Sequence, residues 1–96
     1  MLRNDQKRHL RTLAHHTKAI VLVGNKGVTE AVLREIDLAL DHHELIKVRL
    51  PAVDRQARTQ LVAWLCPAVN GELVQSIGRT VMLYRRNVTT PRIQLP

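Results

Sequence analysis

The sequence predicts an α/β fold, because two apolar runs rich in β-branched residues alternate with segments whose apolar residues recur at helical spacing. Two further short apolar runs near the carboxyl end are separated by a glycine-containing loop, which indicates a hairpin. The expected order is helix, strand, helix, strand, helix, strand, strand. Strands joined through helices run parallel with right-handed crossovers, so the hairpin makes the four-stranded sheet mixed.

The length of 96 residues and the 45% share of hydrophobic residues predict a single compact domain over residues 1–96, with a carboxyl-terminal extension over residues 87–96. Cys66 is the only cysteine, which is typical of a reducing compartment. No apolar run approaches the length of a membrane span. We therefore expect a cytoplasmic protein that makes no membrane contact, and we expect a monomer.

The first helix is predicted to begin at Asn4 or Asp5, either of which can cap it, and to run to about His16. Its apolar stripe is expected to contain Leu10, Leu13 and Ala14. Basic residues occupy the other side, namely Lys7, Arg8, Arg11, His15 and, just beyond the helix, Lys18.

Residues 19–23 form a continuous apolar run, which predicts a strand that is central in the sheet or buried on both sides. The loop Gly24-Asn25-Lys26-Gly27 follows, and its two glycines allow positive φ and a close approach by a partner. The loop opens a helix, whose free N–H groups attract phosphate, and Lys26 adds a positive charge. The same pattern also fits a plain strand-to-helix turn, and it lacks the residues of a P-loop or of a dinucleotide fingerprint.

Thr29 is the predicted N-cap of the second helix, which runs to about His42 or His43. The residues expected to be buried are Val32, Leu33, Ile36 and Leu40. The opposite stripe, predicted to face solvent, consists of Glu30, Arg34, Asp37, Asp41 and Glu44.

Residues 45–50 alternate between apolar and basic, so Lys47 and Arg49 are predicted on a solvated strand face. Asp54 can cap a third helix, whose exposed early turns carry Arg55 and Arg58. Pro67 removes a backbone donor and Gly71 can end this helix, so its last turns are predicted to be irregular.

Two strands are predicted over residues 73–77 and 81–85, with the loop Gly78-Arg79-Thr80 between them. Arg79 in this loop and Arg85 at the end of the last strand are candidate phosphate contacts. The tail after Arg86 contains two prolines and is predicted to be a loosely packed extension, held by Ile93 and Leu95.

The charges are unevenly distributed: 15 Lys and Arg oppose eight Asp and Glu, giving a formal net charge of +7. Five acidic residues and only Arg34 lie between Glu30 and Glu44, which leaves fourteen basic and three acidic residues elsewhere. This polarisation predicts a strongly positive surface that attracts polyanions at long range. Charge alone is also compatible with a solvated surface that promotes solubility.

Several classes of function are disfavoured. None of the five histidines is spaced i,i+4 from another, and the adjacent pairs His15-His16 and His42-His43 diverge by about 100° on a helix, so we predict no metal and no cofactor. No catalytic constellation is apparent, and we predict that the chain is not an enzyme and has no small-molecule substrate. Trp64 and Tyr84 are the only aromatic residues, which argues against a sheet that stacks several bases.

Several segments, taken in order, carry a resemblance to a known family. They are Gln6-Lys7-Arg8-His9-Leu10-Arg11, Leu13-Ala14-His15, Gly24-Asn25-Lys26-Gly27-Val28-Thr29, His42-His43-Glu44-Leu45-Ile46-Lys47-Val48, Asp54-Arg55, Ile77-Gly78-Arg79-Thr80 and Leu83-Tyr84-Arg85-Arg86. Together they resemble the CRM domain (chloroplast RNA splicing and ribosome maturation) in its stand-alone bacterial YhbY-like form, over about residues 2–95. Cys66 and Pro67 depart from the family pattern but touch no predicted contact.

The resemblance implies a four-stranded mixed sheet similar to that of the C-terminal domain of bacterial translation initiation factor three. It implies RNA contact through the glycine-bracketed loop, here Gly24–Gly27. It also implies association with precursors of the large ribosomal subunit, as a ribosome assembly factor. Plant members act in intron splicing, so introns or other structured RNA stay open as partners.

Basic residues around the loop are added from the sequence itself. The predicted RNA-binding residues are Gly24, Asn25, Lys26, Gly27, Lys7, Arg8, Arg11, Lys18, Lys47, Arg49, Arg79 and Arg85. Two alternatives stay open. The acidic stripe of the second helix could make the protein an adaptor that docks a basic ribosomal protein, and phosphate contacts alone do not distinguish RNA from DNA.

Overall fold

Seven elements follow one another in the predicted order in a computed structural model, which describes residues 2–96. The helices are α1 (Asn4–Ala14), α2 (Glu30–His43) and α3 (Arg55–Ala68). The strands are β1 (Ile20–Leu22), β2 (Leu45–Arg49), β3 (Glu72–Ile77) and β4 (Thr80–Tyr84). The predicted α/β class with a four-stranded mixed sheet is confirmed.

The strands lie in the order β1-β2-β4-β3. β1 is parallel to β2, whereas β4 is antiparallel to both of its neighbours. The connection from β2 through α3 therefore leads to β3 at the far edge of the sheet, and β4 lies between β2 and β3. We call the end of the sheet that carries the loop after β1 the loop end, and the opposite end, where β4 finishes, the tail end.

One face of the sheet carries the main core beneath α2 and α3. This core consists of Val21, Val23, Ile36, Leu40, Ile46, Val48, Leu50, Val62, Leu65, Val69, Val81 and Leu83. A smaller cluster under α1 lies on the other face and contains Leu10, Ala14, Leu45, Val74, Met82 and Tyr84. The sheet thus has one fully covered face and one face that α1 covers only in part.

The prediction of a central or doubly buried first strand is wrong. β1 is an edge strand, and its burial alternates: Val21 is 3% exposed, but Ile20 and Leu22 are 48% and 63% exposed. A continuous apolar run does not reveal which face of a strand another element covers. Here α2 covers one face and nothing in the described chain covers the other.

Helix α1 begins without the predicted side-chain cap from Asn4 or Asp5. The residue before the helix is Arg3, and its backbone N–H donates to Gln6 Oε1 at 2.9 Å. Asp5 lies in the first turn, where its hydrogen bond with the Arg3 guanidinium, at 3.1 Å, lowers the pKa of this exposed carboxyl. The helix ends at Ala14, two residues before the predicted end.

The caps of α2 and α3 are the predicted ones. Thr29 Oγ1 accepts from the backbone N–H of Val32 at 3.3 Å, and Asp54 Oδ1 accepts from that of Ala57 at 2.7 Å. Helix α3 continues through Pro67, because a proline in the last turn removes only one ladder bond. The left-handed residue that ends α3 is Asn70, with φ 53°, rather than the predicted Gly71.

Glu44 is not part of the solvent-facing stripe predicted for α2. It follows the helix in a left-handed conformation, with φ 62°, and it is 0% exposed. Its carboxylate accepts three backbone N–H bonds from the tail, at 2.7 Å from Asn87, 2.6 Å from Arg92 and 2.7 Å from Ile93. These bonds offset the desolvation of a buried charge.

The carboxyl-terminal tail is therefore anchored, which corrects the prediction of a loosely packed extension. Ile93 and Leu95 pack against the cluster under α1, as predicted. The Pro96 carbonyl also accepts from the Arg3 guanidinium at 2.7 Å and from the Gln6 side-chain amide at 3.3 Å. Tail and α1 thus stabilise each other at the tail end of the sheet.

Replacing Glu44 with glutamine should destabilise the fold by about 2–4 kcal/mol, because the amide nitrogen would face a backbone N–H and leave buried donors unpaired. Urea unfolding measures the loss, and amide hydrogen exchange should accelerate at Asn87, Arg92 and Ile93. Glu35→Gln, at an exposed position of α2, is the matched control and should change stability by less than about 0.5 kcal/mol. Unchanged stability and exchange in Glu44→Gln would contradict the anchoring role.

Candidate functional site

The face of the sheet that carries α1 is open toward the loop end. Helix α1 lies over the tail-end part of β2 and β3, since its buried residues contact Leu45, Val74 and Tyr84. Its start is tied to the first residue of β3 by the backbone N–H of Leu2, which donates to the Glu72 carboxylate at 2.9 Å. The remaining part of this face, toward the loop end, is exposed to solvent.

Strand register defines the composition of this open region. Leu22 pairs with Arg49, Arg49 with Thr80, and Thr80 with Ile77, so these four side chains form a row across all four strands. In the next row Ile20 pairs with Lys47. We call the surface formed by Ile20, Leu22, Lys47, Arg49, Ile77 and Thr80 the basic half-sheet.

The glycine-bracketed loop lies directly beyond β1 at the loop end. The backbone N–H of Gly27 donates to the Gly24 carbonyl at 3.0 Å, which closes a tight turn with Asn25 and Lys26 at its exposed corner. Gly27 has φ +79°, a conformation that favours glycine. Gly24 needs no such conformation, and a Cβ built on it would meet nothing within 4 Å.

The hairpin between β3 and β4 reaches the same end of the sheet. Gly78 adopts φ +56° in a two-residue turn, and the backbone N–H of Leu50 donates to the Arg79 carbonyl at 2.7 Å. The Arg79 Nε–H returns a bond to the Leu50 carbonyl at 3.0 Å. This bond holds the guanidinium beside the end of β2, and Arg79 is exposed.

The α1 residues fall into two groups. Gln6 contacts the tail on one flank of the helix and Leu10 is buried beneath it, so a spacing of 100° per residue places Lys7 and Arg11 on the other flank, next to the basic half-sheet. Arg8 lies on the outer side of α1, away from the sheet. Lys18 is exposed and precedes β1 on the same face as Ile20, by strand alternation.

The structure separates Arg85, a predicted RNA contact, from this region, so it is not part of the basic half-sheet. Its side chain is only 18% exposed and lies at the tail end. It bonds Asp37 Oδ1 at 2.6 Å, Asp41 Oδ1 at 2.8 Å and the Val69 carbonyl at 2.8 Å. These bonds join α2 to the end of α3, so Arg85 has a structural role.

Negative charge is absent from the basic half-sheet. Helix α2 packs on the opposite face of the sheet, and its acidic residues lie there, except that Glu30 begins the helix three residues after Gly27. Among residues 2–96, the acidic residues outside that segment are already engaged: Asp5 pairs with Arg3, Asp54 caps α3, and Glu72 accepts from Leu2. The loop end therefore combines cations with an exposed turn at Gly24, Asn25 and Lys26, an arrangement suited to a polyanion.

Sequence reasoning missed the aliphatic part of the surface. Ile20, Leu22 and Ile77 are each about half exposed or more, and they flank Lys47 and Arg49 on both sides. The strand pairing that places them there is not encoded in any local pattern. A surface of this composition offers contacts to the sugars and base edges of a nucleic acid as well as to its phosphates.

The described residues give little support for a nucleophilic cysteine, a metal site or a membrane-spanning helix. Burial raises the pKa of the Cys66 thiol, which disfavours the thiolate needed by a nucleophile. Within residues 2–96, no three His, Cys, Asp or Glu side chains group as metal ligands would. None of the helices in that range has the length and apolar character that crossing a bilayer requires.

Comparison with known proteins finds one matching domain family and several similar proteins. Residues 2–85 match the CRS1/YhbY (CRM) domain family. The chain is 42% identical to a probable RNA-binding protein of Pseudomonas aeruginosa, over 90% of this chain and 83% of that protein. It is 41% identical to an RNA-binding protein of Haemophilus influenzae, over 99% and 95% of the two chains.

A solved structure shares the fold. The chain superposes on the solution structure of a Staphylococcus aureus protein, described as a candidate RNA-binding protein, with a TM-score of 0.83. The two sequences are 38% identical, and the match covers 100% of each chain.

The two glycines of the turn should respond differently to alanine. Gly27→Ala should destabilise the protein by about 1 kcal/mol, because a Cβ strains its positive φ although the space around it is open. Gly24→Ala should change stability by less than about 0.5 kcal/mol, since neither strain nor contact opposes it. Thermal or urea unfolding compares the two variants, and equal losses would contradict this assignment of the turn.

Proposed function

The chain belongs to the CRS1/YhbY (CRM) domain family, and from this membership and the geometry above we propose that it binds RNA through the basic half-sheet and the Gly24–Gly27 turn. The main observation in support of this proposal is that the turn after β1, the end of β2 and the β3–β4 hairpin lie together at one end of the sheet. Lys26, Lys47, Arg49 and Arg79 are placed there by three different elements.

The proposed binding mode rests mainly on phosphates. The turn has a small, accessible backbone at Gly24, so a phosphate or sugar can approach its N–H groups without meeting a Cβ. Lys26, Lys47, Arg49 and Arg79 then neutralise successive phosphates, with Lys7, Arg11 and Lys18 at the border. Such contacts release counterions and make binding steeply dependent on salt, with little preference for sequence.

We propose further that the natural RNA is ribosomal, in precursors of the large subunit, so that the protein acts as a cytoplasmic ribosome assembly factor. The family resemblance supports this assignment, and introns or other structured RNA are the alternative partners. The adaptor function through α2 has less support, because Asp37 and Asp41 are already paired with Arg85. The raised pKa of Cys66 and the composition of the site support a binding function without catalysis.

Lys26→Ala should weaken RNA binding about fivefold to eightfold at 0.1 M salt, the contribution expected when about one counterion is no longer released. The loss should be similar for different RNA sequences, and the slope of log affinity against log salt should fall by about one. Anisotropy titrations at several salt concentrations measure both quantities. Arg34→Ala removes an equal charge from α2 and is the control. It should change the affinity and the salt slope only by the small amount expected from a lower net charge.

Affinity and slope both unchanged in Lys26→Ala would remove the turn from the RNA interface. Parallel titrations with matched DNA would show whether the protein discriminates between the two polymers.

The ribosomal role is tested by sedimentation of tagged protein through a ribosome gradient at low and moderate salt. Wild type should co-migrate with large-subunit precursors and be released by salt. Gly24→Asp should stay folded, because its Cβ has open space, and should lose co-migration, because the added carboxylate repels phosphate. Absence of wild type from every ribosomal fraction would leave RNA binding intact but contradict the assembly role.

A further inference from the structure

A depression lies on the sheet face opposite the basic half-sheet. It is an open groove of about 580 Å³ between α3 and the edge strand β3. Its lining includes Arg55, Arg58, Thr59, Val62, Leu73 and Ser76. We call it the α3/β3 groove, and its volume is within the range of about 300–1,000 Å³ that holds small ligands.

The rim of the groove is cationic. Arg55 and Arg58 are three residues apart on α3, so they project from the same side of the helix into the groove. Within residues 2–96 neither guanidinium takes part in an ion pair or a side-chain hydrogen bond. The neighbouring Asp54 carboxylate does not pair with them, because it caps the helix at the Ala57 N–H.

The rest of the groove combines hydroxyl groups with an apolar floor. The Thr59 hydroxyl donates to the Arg55 carbonyl at 2.9 Å, and Ser76 is exposed on β3. Val62 is buried, and Leu73 is 38% exposed beside it. Two cations, two hydroxyls and an aliphatic surface form an arrangement that suits a nucleotide unit, with its phosphate at the arginines and its sugar or base on the floor.

The groove is continuous with the loop end of the sheet. Gly78 lines the groove and directly precedes Arg79, whose guanidinium lies at the end of β2. No atom lies within 4 Å of where a Gly78 Cβ would be, so the hairpin presents bare backbone between the two faces. A chain bound on the basic half-sheet can therefore pass over this hairpin without meeting a side chain at Gly78.

We propose that RNA bound on the basic half-sheet continues over the Gly78-Arg79 hairpin and places further phosphates at Arg55 and Arg58 in the α3/β3 groove. This inference rests on the proposed RNA-binding function and extends its footprint to the second face of the sheet. Continuity with Arg79 favours an RNA strand over an acidic peptide as the occupant, because a peptide would need no connection to the basic half-sheet.

The test measures affinity against RNA length for wild type, Arg55→Ala/Arg58→Ala and the control Arg34→Ala. Single-stranded oligonucleotides of about 6 and about 20 nucleotides bracket the length that one small domain covers. The double variant should bind the short RNA as wild type does. It should bind the long RNA on the order of 30-fold more weakly at 0.1 M salt, with a salt slope lower by nearly two.

Ser76→Asp is a second variant, which retains both arginines but adds a negative charge to the groove, and it should also weaken only the long RNA. The inference is overturned if the double variant binds both lengths like wild type, or loses equal affinity for both. It is also overturned if a glutamate-rich peptide binds wild type through the two arginines without competing with the long RNA. Failure of wild type to bind either RNA would instead overturn the proposed function.

Discussion

The three hydrogen bonds from tail N–H groups to the buried Glu44 carboxylate determine how much of the sheet is covered. They hold residues 87–93 at the tail end, where Ile93 and Leu95 pack beneath α1. Arg3 and Gln6 bond Pro96 from the helix side, so α1 and the tail occupy the same half of one face. The other half stays open, and every residue of the basic half-sheet depends on that opening.

The Glu44 backbone shows why this arrangement is specific. A non-glycine residue with φ 62° is unfavourable by about 1–3 kcal/mol, and it persists only where its surroundings fix it. Here the backbone N–H of Glu44 donates to the Leu40 carbonyl at 2.9 Å, and the Glu44 carbonyl accepts from the backbone N–H of Arg85 at 2.8 Å. Arg85 in turn binds Asp37 and Asp41. Asp37, Asp41 and Glu44 are thus bonded within the fold at the tail end, whereas the cations of the basic half-sheet lie toward the loop end.

Local patterns in the sequence were sufficient for most of the fold. Apolar periodicity predicted the helices and strands in their correct order. The Thr29 and Asp54 caps could also be predicted, because each side chain accepts a hydrogen bond from a backbone N–H only three residues further along the sequence. The direction of Lys47 and Arg49 also followed from simple alternation. These features depend on contacts between residues close in sequence, which is why they can be read without the structure.

The features that could not be read depend on contacts between distant residues. The edge position of β1, and with it the exposure of Ile20 and Leu22, results from strand order. Glu44 and Arg85 looked like surface charges, but their side chains bond partners 43–49 residues away in the sequence, and Arg85 also bonds the Val69 carbonyl 16 residues away. Compared with the site predicted from the sequence, the observed surface includes the aliphatic residues and does not include Arg85. Both differences arise because tertiary packing determines the partners of a side chain.

The central claim is that RNA contacts the loop end of the open face and not the α2 side. Titration of isotopically labelled protein with a short single-stranded RNA, followed by amide chemical shifts, tests it most directly. We predict progressive shifts at residues 20–29, 47–50 and 78–80, with residues 30–41 of α2 unaffected. Shifts concentrated on α2, or spread evenly over the surface, would contradict the claim.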